Sequence, residues 1–134
     1  TIRGITMSVK LYAERYNEFQ HQLGQGVEQN YEAIITELFS PEFKKTANGD
    51  VLVSNRSQLF SQCENCREMA GKWTIQSTDI IPSADNTQCT IRYLLTSEKA
   101  GQFDVIAIMS ISNGLIDRVD EVYYQPESEN NGYI

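Results

Sequence analysis

The spacing of apolar residues changes once along this chain, at Gly71, and that change divides it into a helical half and a strand half. Before Gly71 apolar residues recur about every 3.6 positions and after it about every 2, periods that belong to different elements. Over 8–23, Val9, Tyr12, Ala13, Tyr16, Phe19 or Gln20, and Leu23 fall on one face of a predicted helix, with Lys10, Glu14, Asn17 and Glu18 opposite. Gly24 and Gly26 are expected to stop it. Val27, Tyr31, Ile34, Ile35 and Leu38 repeat the period as far as Ser40-Pro41, where proline forbids further helix. A hairpin over 43–54 turns on Asn48-Gly49. Asn55 then caps a third helix, with Gln58 to complete a capping box and Leu59, Phe60, Cys63, Cys66 and Met69 expected inward.

Beyond Gly71 four strands are predicted over 73–81, 89–97, 102–112 and 115–125, joined by turns at 82–87, 98–101 and Asn113-Gly114. Short connections make sequence neighbours antiparallel. Helices first and a sheet afterwards is an α+β arrangement, with three N-terminal helices inside a strongly curved antiparallel β-sheet of six strands counting the hairpin. An acid, Glu121, stands in the middle of the last strand and asks for an explanation.

A chain of 134 residues is long enough for one domain with its own core. We divide it into an N-terminal extension (1–7), a domain (8–125) and a polar, acidic tail (126–134) expected to fray. A net charge of −7 with scattered Lys and Arg argues against nucleic acid as a partner. No apolar run approaches the roughly 20 residues that span a bilayer, so no membrane partner is expected. Three cysteines, an odd number, fit a reducing, cytoplasmic setting better than a disulfide scaffold.

The order of elements together with the closing stretch Asn113 to Gln125, NGLIDRVDEVYYQ, resembles the nuclear transport factor 2-like superfamily, in particular its SnoaL-like branch. The stretch looks like that family's "dGlI-x-R-x-DEY" ending, and VIAIMSISNGLI before it like its penultimate strand and turn. The resemblance implies a cystatin-like cone with a hydrophobic pocket between the concave face of the sheet and the first helix. It places Glu121 where limonene epoxide hydrolase and SnoaL cyclase types carry a pocket acid, Arg92 near the hydrolase arginine, and Tyr16 where the ketosteroid isomerase type has its oxyanion tyrosine. Leu94 and Ala107 stand where additional acids of those types would fall, so neither catalytic set is complete. The expected catalytic residues are Glu121, Arg92 and Tyr16, and the expected ligand contacts are Tyr12, Phe19, Val105, Ala107, Met109, Val119 and Tyr123.

Cys63-Glu64-Asn65-Cys66 sits in mid-helix, whereas a redox pair belongs at a helix N-terminus, so these thiols are expected to be structural. Cys89 and the single histidine, His21, would complete a zinc set only if the fold gathered all four, and neither metal nor cofactor is expected. Two functions fit. One is a pocket for a small apolar ligand, with cofactor-free proton-transfer or hydrolase chemistry open to it. The other is a non-catalytic dimerisation or interaction domain with a filled cone. In either case apolar Ile106 and Ile108 on the outer side of a strand predict a homodimer through the convex face of the sheet.

Overall fold

In the computed structural model, residues 8–125 are described; the N-terminal extension and the polar tail lie outside them. Ser8 caps α1 (Val9–Gln25) by accepting from the Leu11 amide, and Gly26, at φ 73°, closes it with Gly26 N–H on Leu23 O and Val27 N–H on Gln22 O. Gly24 does not stop the helix. It lies within α1, where a Cβ would sit on the Trp73 indole, so the glycine serves close packing and the helix runs on to Gln25. α2 (Tyr31–Leu38) starts later than its apolar period suggests, at an Asn30 cap, leaving Val27 exposed.

The chain then passes directly into β1 (Phe39–Ala47), followed by β2 (Asp50–Val53), a 3-10 turn (Arg56–Gln58), α3 (Leu59–Ala70), β3 (Trp73–Pro82), β4 (Gln88–Ser97), β5 (Gly101–Ser112) and β6 (Leu115–Tyr124). β1 begins four residues earlier than the hairpin signal, and Pro41 falls in the stretch between Phe39 and Lys44 where its ladder to β6 is interrupted. Asn55 Oδ1 accepts from Ser57 N, while Gln58 Oε1 reaches back to Ser54 N, one residue before the amide a capping box would use. Met69, expected inward, is 78% exposed near the end of α3.

The six strands order as β2-β1-β6-β5-β4-β3, open at both edges. All pairs are antiparallel except β1 with β6, which is parallel and makes the sheet mixed rather than wholly antiparallel. The rule that short connections give antiparallel neighbours says nothing about strands so far apart in sequence. Register shifts in β1, β3 and β5 accompany the curvature. Inside the curve, α1 lies on β3 and β4. Val105, Ala107 and Met109 of β5 are buried beneath this layer, while Ile106 and Ile108 lie exposed on the convex side. Among the described residues no helix is long and apolar enough to cross a membrane.

Candidate functional site

The alternation of β6 directs Val119, Glu121 and Tyr123 to the concave side and leaves Val122 outside. Glu121 pairs in register with Ala47 of β1 on one side and Ala107 of β5 on the other. Two small neighbours leave space above the strand for a carboxyl and for the long side chains that reach it. Its side chain is fully buried.

Four groups close on that carboxyl. Oε2 accepts from the Tyr16 hydroxyl of α1 at 3.0 Å and from the Tyr93 hydroxyl of β4 at 2.6 Å. Oε1 accepts from the Tyr123 hydroxyl at 2.9 Å and faces the Lys45 ammonium of β1 at 3.5 Å. A carboxylate has about four acceptor positions. Three hydroxyls donate to these positions and the Lys45 ammonium faces one of the oxygens, so the carboxyl is the shared acceptor of groups from α1, β1, β4 and β6. Burial pushes Tyr16, Tyr93 and Tyr123 well above the ordinary phenol range, and the adjacent Glu121 charge pushes further the same way. All three remain hydrogen-bond donors at neutral pH. Burial pulls Lys45 down, but the Glu121 charge, with smaller contributions from Tyr123 and the α3 thiols, outweighs it and holds the ammonium above its ordinary value. Lys45 is therefore a cation rather than a nucleophile. Its Nζ also stands 5.7 Å from the centre of the Tyr16 ring.

A cavity of about 320 Å³ opens on the other side of Lys45 and Tyr123. Its inner wall includes Gln20, Lys45, Cys63, Trp73, Phe103 and Tyr123, and exposed Leu52 and Met69 mark its mouth. Glu121, Tyr16 and Tyr93 lie behind this wall. Burial pushes the Cys63 thiol up to about 11, with Lys45 opposing it only in part, and Cys66 is also raised. Both are thiols at neutral pH.

Of the expected catalytic set, the fold joins Glu121 and Tyr16 but not Arg92. Cys89, Ile91 and Tyr93 point inward along β4, so Arg92 points outward, where it holds Asp104 through Nε–Oδ1 at 2.9 Å and Nη2–Oδ2 at 2.5 Å. Of the expected ligand contacts, only Tyr123 lines the cavity. Tyr12 donates to the Gly114 carbonyl, and Phe19 packs edge-on against Phe39 and Tyr31. Val105, Ala107, Met109 and Val119 are sealed in the core. The reason is that Tyr16, Tyr93, Phe39 and Phe43 fill the middle of the cone, which displaces the open space towards α3 and the end of β3. His21, considered above as a fourth zinc ligand, uses its Nδ1 to accept from the Ile75 amide at 3.0 Å. Among the described residues no three His, Cys, Asp or Glu side chains gather as a metal site would need.

Lys45, Tyr93 and Gln20 are the members that sequence reasoning missed. Phe43, Lys45 and Ala47 alternate to one side of β1, and a lysine among them was the available signal. That Lys45 would meet Glu121 follows only from the parallel pairing of β1 with β6.

No family profile matches the chain, and no curated protein matches it by sequence. Solved structures match its fold. A nuclear transport factor 2-like protein of unknown function from Exiguobacterium sp. 255-15 superposes with a TM-score of 0.71 at 16% identity, covering 85% of this chain and 98% of its own. A protein of Agrobacterium tumefaciens strain C58, provisionally named an isomerase of the SnoaL-like family, gives 0.67 at 12% identity over 86% and 96%. A de novo designed protein with a curved β-sheet gives 0.64 at 12% identity over 91% and 92%. The chain thus has the nuclear transport factor 2-like fold, with structural neighbours in its SnoaL-like branch. A fold shared with a designed protein carries no activity by itself.

Proposed function

We propose that this chain is a small-molecule pocket protein that binds an apolar ligand in the cavity between α1, α3 and the sheet. The observation that carries the reading is Lys45, a cation set in the wall of an otherwise largely apolar cavity with its counter-ion buried behind it. A packed scaffold gains little from such a pair, since desolvation of two charges offsets much of their attraction. The cavity is also of the size that small ligands occupy, on the order of 300 Å³ or more.

Binding is the primary role. The chemistry within reach is cofactor-free proton transfer, of the isomerase or cyclase kind, with Tyr123 linking the cavity to Glu121. The name of the Agrobacterium neighbour leans the same way. A homodimer through the convex face, where Ile106, Ile108 and Val122 are exposed, belongs to this proposal, as does the cytoplasmic setting.

Ala100 lines the mouth of the cavity from an exposed turn, so Ala100→Trp plugs it without touching the core. Calorimetric titration with a panel of naphthalene-sized apolar compounds is expected to give saturable binding to the wild type and none to A100W. Equal affinity for both proteins would remove this cavity as the site.

A further inference from the structure

We infer that the ligand of this cavity carries an uncharged carbonyl oxygen, held by the Lys45 ammonium and the Gln20 side-chain amide rather than by Glu121 and Tyr16. The inference rests on the pocket reading above and specifies what the pocket selects.

The polar groups of the cavity wall are unevenly satisfied. Tyr123 already donates to Glu121, and Ser97 donates to the Ala70 carbonyl while accepting from the Ala100 amide. Gln62 Nε2 is engaged with the Cys66 sulfur. Two wall residues retain unused donors. Lys45 has three N–H groups and, among the described residues, a single ion-pair partner, Glu121 Oε1 at 3.5 Å, beside the Tyr16 ring. Gln20 is only 7% exposed, and its Nε2 is buried with no hydrogen-bond partner among the described residues. A buried amide left without an acceptor is unusual in a folded protein and points to a missing partner. Gln20 stands on the buried face of α1 and Lys45 on the inner face of β1, so the two residues that carry unused donors line one cavity from different elements, and a turn of the Gln20 amide is what brings its N–H₂ to a ligand there.

Two unused donors call for an acceptor, and an sp² oxygen offers two lone pairs. The charge of that oxygen follows from Glu121. Lys45 is already matched by a carboxylate, so a second anion would share one ammonium and approach the first, after losing its water to an apolar chamber. An uncharged carbonyl accepts from both donors at a much smaller desolvation cost. Leu23, Trp73, Leu95 and Phe103 supply the surface for the apolar body of the ligand.

The test compares three compounds of one skeleton by calorimetry: 2-acetylnaphthalene, 2-ethylnaphthalene and 2-naphthoate. With the wild type the ketone is expected to bind at least about tenfold more tightly than either of the others, in line with the penalty for unpaired polar groups when the matching oxygen is missing. Lys45→Met and Gln20→Leu are each expected to abolish that preference, read as the ratio of ketone to hydrocarbon affinity within each variant. Gln20→Leu removes an orphaned amide, so its thermal midpoint is expected to hold or rise, and it keeps the test open should K45M fail to fold. Tighter binding of 2-naphthoate than of the ketone would overturn the inference in favour of an anion site, and a ketone preference that survives Q20L would overturn the assignment of Gln20. If no compound binds the wild type, the pocket reading itself falls. Hydrocarbon and ketone binding with equal affinity, blocked by A100W, would overturn only the carbonyl.

Discussion

Lys45 with Glu121 and Arg92 with Asp104 are two ion pairs of one sheet, on its inner and outer faces. The outer pair is the closer, at 2.5 Å against 3.5 Å, and is bidentate. Distance nevertheless ranks them the wrong way. The Arg92 side chain is 51% exposed and its charge is screened by water and salt, whereas the inner pair is sealed among aromatic rings and tied to three tyrosine hydroxyls. Each partner of the inner pair is costly to leave alone, because a buried charge without its counter-ion keeps its desolvation penalty and loses its compensation. The contrast locates the site: the inner pair borders a cavity, and the outer one borders solvent.

The sharpest way to break the comparison is Glu121→Gln. The substitution keeps the shape of the side chain but leaves Lys45 buried without an anion and turns an amide N–H₂ towards groups that are themselves donors. The expected loss of unfolding free energy is about 3–5 kcal/mol, measured by denaturant titration. Combining it with Lys45→Met is expected to recover part of that loss, since the two residues are coupled. A loss below about 1 kcal/mol would place Glu121 in the class of surface pairs.

A second difference appears at alkaline pH. Tyr16, Tyr93 and Tyr123 have folded-state values well above the unfolded 10.0, and Lys45 is likewise raised above 10.5. Groups raised in this sense contribute stability that is fully present below the unfolded value and is lost as pH rises towards the folded one. Stability is therefore expected to fall above pH ~10, by about 1.4 kcal/mol per pH unit for each such group. Followed by phenolate absorbance, three of the seven tyrosines should resist titration until the protein unfolds. Smooth titration of all seven with the fold intact would contradict the buried cluster. The outer pair moves the other way: the hydrogen bond from Arg92 lowers Asp104, so its small contribution is lost on acidification.

The legible parts of this fold were those set by local backbone chemistry. Both Asn-Gly turns adopt positive φ, at Asn48 and Gly49 and at Asn113 and Gly114, and the four long strands lie where the period of two placed them. Glu121 was legible as a misfit in an apolar strand, and Tyr16 by its helix face. What the sequence could not supply was long-range pairing. Lys45 becomes a partner of Glu121 only because β1 joins β6 in parallel, and no turn chemistry encodes that. The pocket was misplaced for a related reason: whether the cone is filled around Val105 and Met109 depends on how far Tyr16, Tyr93, Phe39 and Phe43 reach across it. Arg92 is a different case. The alternation of Cys89, Ile91 and Tyr93 already turned it outward, and the family resemblance pointed the other way.

Arg92→Ala gives the smallest expected effect and tests the outer half of the comparison. Arg92 touches neither the cavity nor the tyrosine cluster, and its pairing with Asp104 lies in water on the convex face. Its denaturation midpoint and its affinity for 2-acetylnaphthalene are expected to match the wild type within error at physiological salt. Because the proposed dimer uses the same face, the measurement belongs in a series of protein concentrations. A destabilisation that grows with concentration would assign Arg92 to contact between two copies of the chain. A concentration-independent loss approaching that of Glu121→Gln would mean that the outer charge is coupled through the sheet to the inner one, and would end the separation between the two faces on which the site assignment depends.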